Sequence, residues 1–201
     1  MARDGGVKRV VLTSAFHAVA YGYAHTDHEF TEDDWTVLDG PGVTPSTKRK
    51  TLAERAVWDF IAAEGGATEL ATILPVAVMG PAMGVDPDRR RPLHTFTPVA
   101  AGQRFLVSSG PAISLKQIGA VLKGNLGDAA QRVPSRSIPD IAVRIASVFL
   151  KEFRSVVPDL GFARKPSSEK ARRVLGWQPR KPEEAIIATA ESLVRKQLVK
   201  A

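Results

Sequence analysis

The sequence contains no cysteine, which excludes disulfides, thiolate nucleophiles and zinc sites built on cysteine. No apolar run reaches the length that crosses a bilayer, and the first residues, MARDGGVKRV, lack the apolar stretch of a secretory leader. A cytoplasmic protein with no membrane partner is therefore expected. No G-x-G-x-x-G or G-x-x-G-x-x-G occurs among the 16 glycines, so no glycine-rich turn is present to seat a dinucleotide pyrophosphate on a helix N-terminus. Gly80 and Gly84 are spaced G-x-x-x-G, but they follow Pro75 and Val76 and read as turn glycines.

What is present is basic. The formal charge is +7, with clusters at Lys48-Arg49-Lys50, Arg89-Arg90-Arg91 and Arg172-Arg173. These are scattered, with no interleaved aromatics, so ordinary solvated charge is the expectation and specific nucleic-acid binding is not. His25-Thr26-Asp27-His28 brings two imidazoles and a carboxylate together in a loop. The pattern places no further ligand beside these, and no metal site is assigned.

Periodicity gives an α/β reading. Val10 to Thr13 and Leu70 to Leu74 are short apolar runs suited to buried parallel strands, and Arg104 to Val107 reads as a third. Between the first two, Lys48 to Glu64 is helical, with Leu52, Ala56, Phe60 and Ala63 expected to be its buried face and Gly65-Gly66 its stop. A capping box, Ser114 with Gln117, predicts a helix to about Leu126 with a stripe of Ile118, Val121 and Leu122. Ile141 to Phe153 predicts another between Pro139 and Pro158. The last begins at Pro182, with Glu183 and Glu184 placed for the macrodipole. At 201 residues, one domain, or a partial one with a small lobe, is expected.

Several segments carry a resemblance. GVKRVVLTSAFHAVAYG, EFTEDDWTVLDGPGVTP, TPSTKRKTLAERAVW, ELATILPVAVMGP and SEKARRVLGWQPRKPEEAIIATAESL occur in this order. Together they resemble the extended short-chain dehydrogenase/reductases, within the epimerase/dehydratase superfamily, on the dihydroflavonol reductase and cinnamoyl-CoA reductase branch. The resemblance implies a partial Rossmann-like parallel sheet, the C-terminal half of that plan, with a helical C-terminal substrate lobe. It also implies NADP or NAD as cofactor and a small carbonyl compound as substrate.

The implied catalytic group is a Tyr-x-x-x-Lys pair with a serine. Residues one helical turn apart share a face, and the lysine ammonium lowers the phenol pKa so that the tyrosine can pass a proton to the carbonyl oxygen. In this chain Lys50 stands in the lysine position, while Ser46 occupies that of the tyrosine. A serine hydroxyl is a weaker acid and too short to reach the same oxygen. The family serine falls at Ala15, next to Ser14 and Thr13. By the same resemblance Lys50 also faces the nicotinamide ribose, and Thr13, Pro75, Val76 and Val78 line the nicotinamide. Lys50 has a plainer reading as one more exposed base beside Lys48, Arg49 and Arg55. Ser46 with Lys50 as a nucleophile and base lacks an identifiable oxyanion donor.

Relative to that family the glycine-rich half is missing, and GVDPDRRRPLHTFTPVA replaces a helix and a strand, through a deletion or a frame-shifted patch. The expected organisation is residues 1–82 as a Rossmann-like half, 83–103 as an irregular loop and 104–201 as an α-rich lobe, all in one structural unit. The expected activity is a carbonyl reductase-like protein that is catalytically impaired. A non-catalytic subunit-binding fragment is the alternative, and a basic nucleic-acid-associated module the remote one. A truncated reading frame would leave Val10, Val11 and Leu12 at an open sheet edge, a route to homo-oligomers.

Overall fold

The computed structural model describes residues 5–81, 98–134, 138–150, 153 and 156–199. Its organising element is a parallel sheet of three strands, β1 (Arg9–Thr13), β3 (Glu69–Pro75) and β4 (Gln103–Val107), in the order β1-β3-β4. Leu12 lies opposite Thr72, and Thr72 opposite Arg104, so one row crosses all three strands. A second parallel pair joins β2 (Glu29–Phe30) to β5 (Lys165–Pro166), tying the C-terminal segment to the loop after β1. That pairing was not foreseen from the sequence, because two-residue strands carry no period.

The fold is α/β, as expected, and the strands fall where the apolar runs placed them. Strand β3 is central and mostly buried, whereas β1 has a neighbour on one side only among the described residues. Its Val11 is 38% exposed. The two sheet faces carry separate cores. On one, Leu74 and Leu106 pack with Phe16, Val19 and Phe30. On the other, Ala71 and Phe105 pack against Ala171, Val174, Leu175 and Trp177 from α4 (Glu169–Leu175) and the turn after it.

Helix α1 (Pro45–Glu64) crosses the first face and corrects the sequence reading twice. It starts earlier than Lys48, with Thr44 as N-cap accepting from the Thr47 amide and Pro45 opening the first turn. It also turns the expected apolar stripe outward. Thr47, Thr51 and Glu54 are the buried residues, whereas Leu52 is 51% and Phe60 47% exposed, with Ala56 and Ala63 also at the surface. The physical reason is that partners under the helix are polar. Glu54 finds three donors there, and Thr51 bonds backbone carbonyls.

Helix α2 (Leu115–Leu126) has the capping box of Ser114 and Gln117. Its stripe is half-buried against the last helix, α5 (Pro182–Arg195), which does begin at Pro182. Helix α3 (Asp140–Phe149) ends before Phe153; Val143 is its buried residue, and Ile141, Ile145, Val148 and Phe149 are exposed. Of the irregular 83–103 loop, residues 83–97 lie outside the described ones; Pro98–Ala100 forms a short 3-10 turn before β4.

Candidate active site at the carboxyl ends of the strands

In parallel α/β sheets, ligands bind beyond the carboxyl ends of the strands. Here that rim is made by the turn after β1, the exit of β3 and the first turns of α1. The chain leaves β1 at Thr13, which is exposed, and passes through Ser14 and Ala15 into a 3-10 turn, Phe16–Ala18. Ser14 is pointed inward. Its amide donates to the Ile73 carbonyl at 2.9 Å, and its hydroxyl donates to Glu54 Oε2 at 2.6 Å in a buried contact. Ala15 is the half-exposed neighbour.

The turn is fastened to α1. Thr51 Oγ1 donates to the His17 carbonyl at 3.3 Å, and Thr36 Oγ1 donates to the same oxygen at 2.7 Å. Ser46 and Lys50 lie on the outer side of the first turns of α1, both exposed. The structure shows no hydrogen-bond or ion-pair partner for Lys50 among the described residues, in contrast to Lys48, which reaches Asp39 at 3.0 Å.

Below α1, one carboxylate collects the strands. Glu54 Oε1 accepts from Thr72 Oγ1 at 3.2 Å and from Arg104 Nε at 2.9 Å, while Oε2 accepts from Ser14. Arg104 also donates to the carbonyls of Glu32 and Asp34 and stacks 3.7 Å over Trp35. Glu32 Oε1 accepts the buried Leu106 amide at 2.7 Å. This network was missed from the sequence. The signal was the i, i+4, i+7 spacing of Thr47, Thr51 and Glu54, a polar stripe read as the solvent side.

His17, Tyr21 and Arg164 were missed too. The exposed His17 ring stacks on Tyr21 at 4.8 Å and 6°, and the Arg164 guanidinium lies 4.0 Å from the Tyr21 ring centre. Arg164 is held by the Ala20 carbonyl and Asp159 Oδ1, both at 2.7 Å. Partial burial, then the positive charges of Arg164 and Lys50, hold His17 below the ordinary imidazole pKa, with Asp159 acting against them. Burial is also the main cause that pushes the Tyr21 phenol up. Lys50 and Arg164, 114 positions apart in the sequence, thus act on His17 in the same direction.

At the exit of β3, Pro75 and Val76 are half-buried, and the Val76 amide donates to the Val107 carbonyl at 3.3 Å. Val78 is 81% exposed beyond them. The Gly80 amide then donates to Thr189 Oγ1 at 2.6 Å, anchoring the loop to α5. A cleft of about 310 Å³ opens between the loop after β1 and the C-terminal segment, lined by Tyr23, His25, Pro41, Pro158, Phe162 and Arg164.

The two imidazoles of the 25–28 segment are used separately. His25 stacks on Phe162 at 4.6 Å and reaches the Pro158 carbonyl at 2.9 Å, whereas His28 Nε2 lies 3.1 Å from both oxygens of Asp34. Asp27 pairs with Lys165 at 2.7 Å. Among the described residues no group of three or more His, Cys, Asp and Glu is placed to hold a metal ion.

No protein-family model matches the chain, and no curated protein does. Solved structures do. The yeast methylglyoxal/isovaleraldehyde reductase Gre2 complexed with NADPH superposes with a TM-score of 0.65 at 19% identity, over 96% of this chain and 66% of that one. Gre2 of Candida albicans with NADPH gives 0.67 at 19%, over 94% and 64%. An epimerase of Methanothermobacter thermautotrophicus gives 0.65 at 18%, over 98% and 62%. The chain therefore has the Rossmann-type fold of reductases and epimerases, and spans about two thirds of the length of the reductases it matches.

Proposed function

We propose that this chain is an NAD(P)-dependent carbonyl reductase-like protein of the extended short-chain dehydrogenase group whose catalytic chemistry is impaired. Support for the group comes from the superposition on NADPH-bound reductases together with the ordered sequence segments. The impairment rests on one observation: Ser46 stands exposed on the first turn of α1 one turn before Lys50, beside a loop in which the serine position is Ala15 and Ser14 is sequestered by Glu54.

The residues present fit only one end of a dinucleotide. Lys50, exposed and without a hydrogen-bond or ion-pair partner among the described residues, suits ribose hydroxyls, and the rim of Thr13, Pro75, Val76 and Val78 suits a flat ring. For the pyrophosphate the described residues offer no glycine-rich turn leading into a helix. NADP or NAD bound by such a chain would supply hydride. A small carbonyl compound as substrate, a cytoplasmic location and the division into 1–82, 83–103 and 104–201 belong to this reading.

Equilibrium dialysis with NADPH and a carbonyl-reduction assay against a heat-killed control test it. Weak or unmeasurable binding and no turnover are expected, and Ser46→Tyr alone should restore nothing, because a phenol without a held cofactor has no reaction to serve. Turnover lost in Lys50→Ala would overturn the impairment. The non-catalytic, subunit-binding reading is favoured by a separate observation, the apolar residues left on the surface at Val11, Leu52 and Phe60.

A further inference from the structure

We infer that the cleft between the loop after β1 and the C-terminal segment binds a small carboxylate with a flat apolar body, and that Arg164 takes the acid group. Binding there needs no cofactor and does not depend on the reductase reading. The cleft is made by the parallel pairing of β2 with β5. Glu29 lies opposite Lys165, so Arg164, the residue before β5, is delivered to the loop that leads into β2. Tyr23, His25, Pro41, Pro158 and Phe162 wall the cleft around it, and no acidic side chain is among the lining residues.

The arginine is held in a fixed plane. Its side chain is 11% exposed, and it donates from Nε to the Ala20 carbonyl and from Nη1 to Asp159 Oδ1, both at 2.7 Å. The guanidinium carbon stands 4.0 Å from the Tyr21 ring centre and 5.4 Å from that of Phe162. Nη2 makes no hydrogen bond among the described residues and, unlike Arg104 Nη2, is not one of the buried side-chain atoms without a partner, so water reaches it. A guanidinium already fixed and still in contact with water gives up little freedom on meeting a carboxylate, and the charge-assisted bond it then makes is about twice as strong as a neutral one. Asp159 offsets part of the positive charge. Arg164 nevertheless holds the His17 pKa down more strongly than Asp159 holds it up, so the balance beside the cleft stays positive.

The walls decide the rest of the ligand. His25 stacks on Phe162 at 4.6 Å with Nε2 lying 2.9 Å from the Pro158 carbonyl, and the Tyr23 hydroxyl donates to the Trp35 carbonyl at 2.8 Å. Both polar groups already have partners within the fold, which leaves rings, together with Pro41 and Pro158, as the lining. A volume of about 310 Å³ lies at the small end for ligand sites. It suits one ring bearing a short acid and not a nucleotide.

Benzoate is the probe for the full chain, and benzamide, of nearly the same shape without the charge, is its control. In NMR titrations benzoate should move the resonances of Tyr23, His25, Phe162 and Arg164 and bind about tenfold more tightly than benzamide. Arg164→Gln should remove that preference. Because Arg164 also braces Ala20 and Asp159, Ala24, an exposed lining residue, supplies a second pair of variants. Ala24→Glu sets a like charge at the cleft and should weaken benzoate about tenfold relative to Ala24→Gln, with far-UV circular dichroism unchanged in both. No benzoate binding at millimolar concentrations overturns the inference. So does equal binding of benzamide, equal benzoate affinity in Ala24→Glu and Ala24→Gln, or a preference for benzoate that survives Arg164→Gln and is lost in Lys50→Ala, which would move the anion to the first turns of α1.

Discussion

The two faces of the three-stranded sheet are built on different physics. Under α1 the centre of the face is ionic: Glu54, fully buried, takes hydrogen bonds from one residue of each strand or its exit, Ser14 after β1, Thr72 on β3 and Arg104 on β4. On the opposite face the centre is apolar, with Phe105 and Ala71 packed on α4, and the cover stops before β1, where Val11 is left part-exposed. An apolar face tolerates an incomplete cover because each exposed methylene costs little on its own. A buried charge network does not, since a lost partner leaves a charge or donor with neither water nor a mate.

If that contrast is right, the largest effect should come from the ionic face. Glu54→Ala strands the Arg104 guanidinium and should cost about 3–5 kcal/mol in denaturant unfolding, enough to unfold a marginal domain. Pairing it with Arg104→Met should recover much of the loss. A double variant as unstable as Glu54→Ala would mean that the network acts through shape and not through charge. On the apolar face, Phe105→Ala should cost a comparable ~3–5 kcal/mol, but by cavity formation, and no second-site charge change should rescue it.

Next in size is Ser14→Ala, which removes one of the three bonds to the carboxylate. A hydrogen bond to a charged group contributes about 1.5–3 kcal/mol, and a fall of that order in unfolding free energy is expected. No change would imply that Ser14 is free to face a substrate. Restoring a hydroxyl at Ala15, which is half-exposed, should be nearly neutral for stability, since substitutions at sites without buried partners fall within about 0.5 kcal/mol.

This division also explains what could be read in advance. The strands, the Ser114 capping box and the Pro182 start were legible because period, cap and turn residues are local signals. The buried side of α1 was not. A sequence period identifies a stripe, but which stripe faces the sheet depends on partners distant in the chain, and Glu54 meets residues 40, 18 and 50 positions away. For the site, Ser46, Lys50 and Ala15 come from matching a pattern along the chain. Arg164 and Tyr21 could not be paired that way, because 143 residues separate them and the β2–β5 pairing that brings them together rests on two residues in each strand.

The smallest expected effect sits at the rim, between the two regimes, where His17 is exposed enough to titrate and near enough to Lys50 and Arg164 to feel them. Its folded pKa lies below the unfolded one, so the unfolded chain takes up the proton first as pH falls. The stabilising contribution of a neutral His17 is therefore complete above the ordinary imidazole pKa and is lost as pH falls from there through the lowered folded value. By NMR, the His17 imidazole should titrate below the ordinary imidazole value. Lys50→Ala should raise it, and Asp159→Asn should lower it. Burial, the largest cause, remains in Lys50→Ala, so that variant should recover only part of the depression. An unmoved His17 pKa in Lys50→Ala would place the ammonium away from the strand ends and remove the one feature of the rim that still suits a ribose.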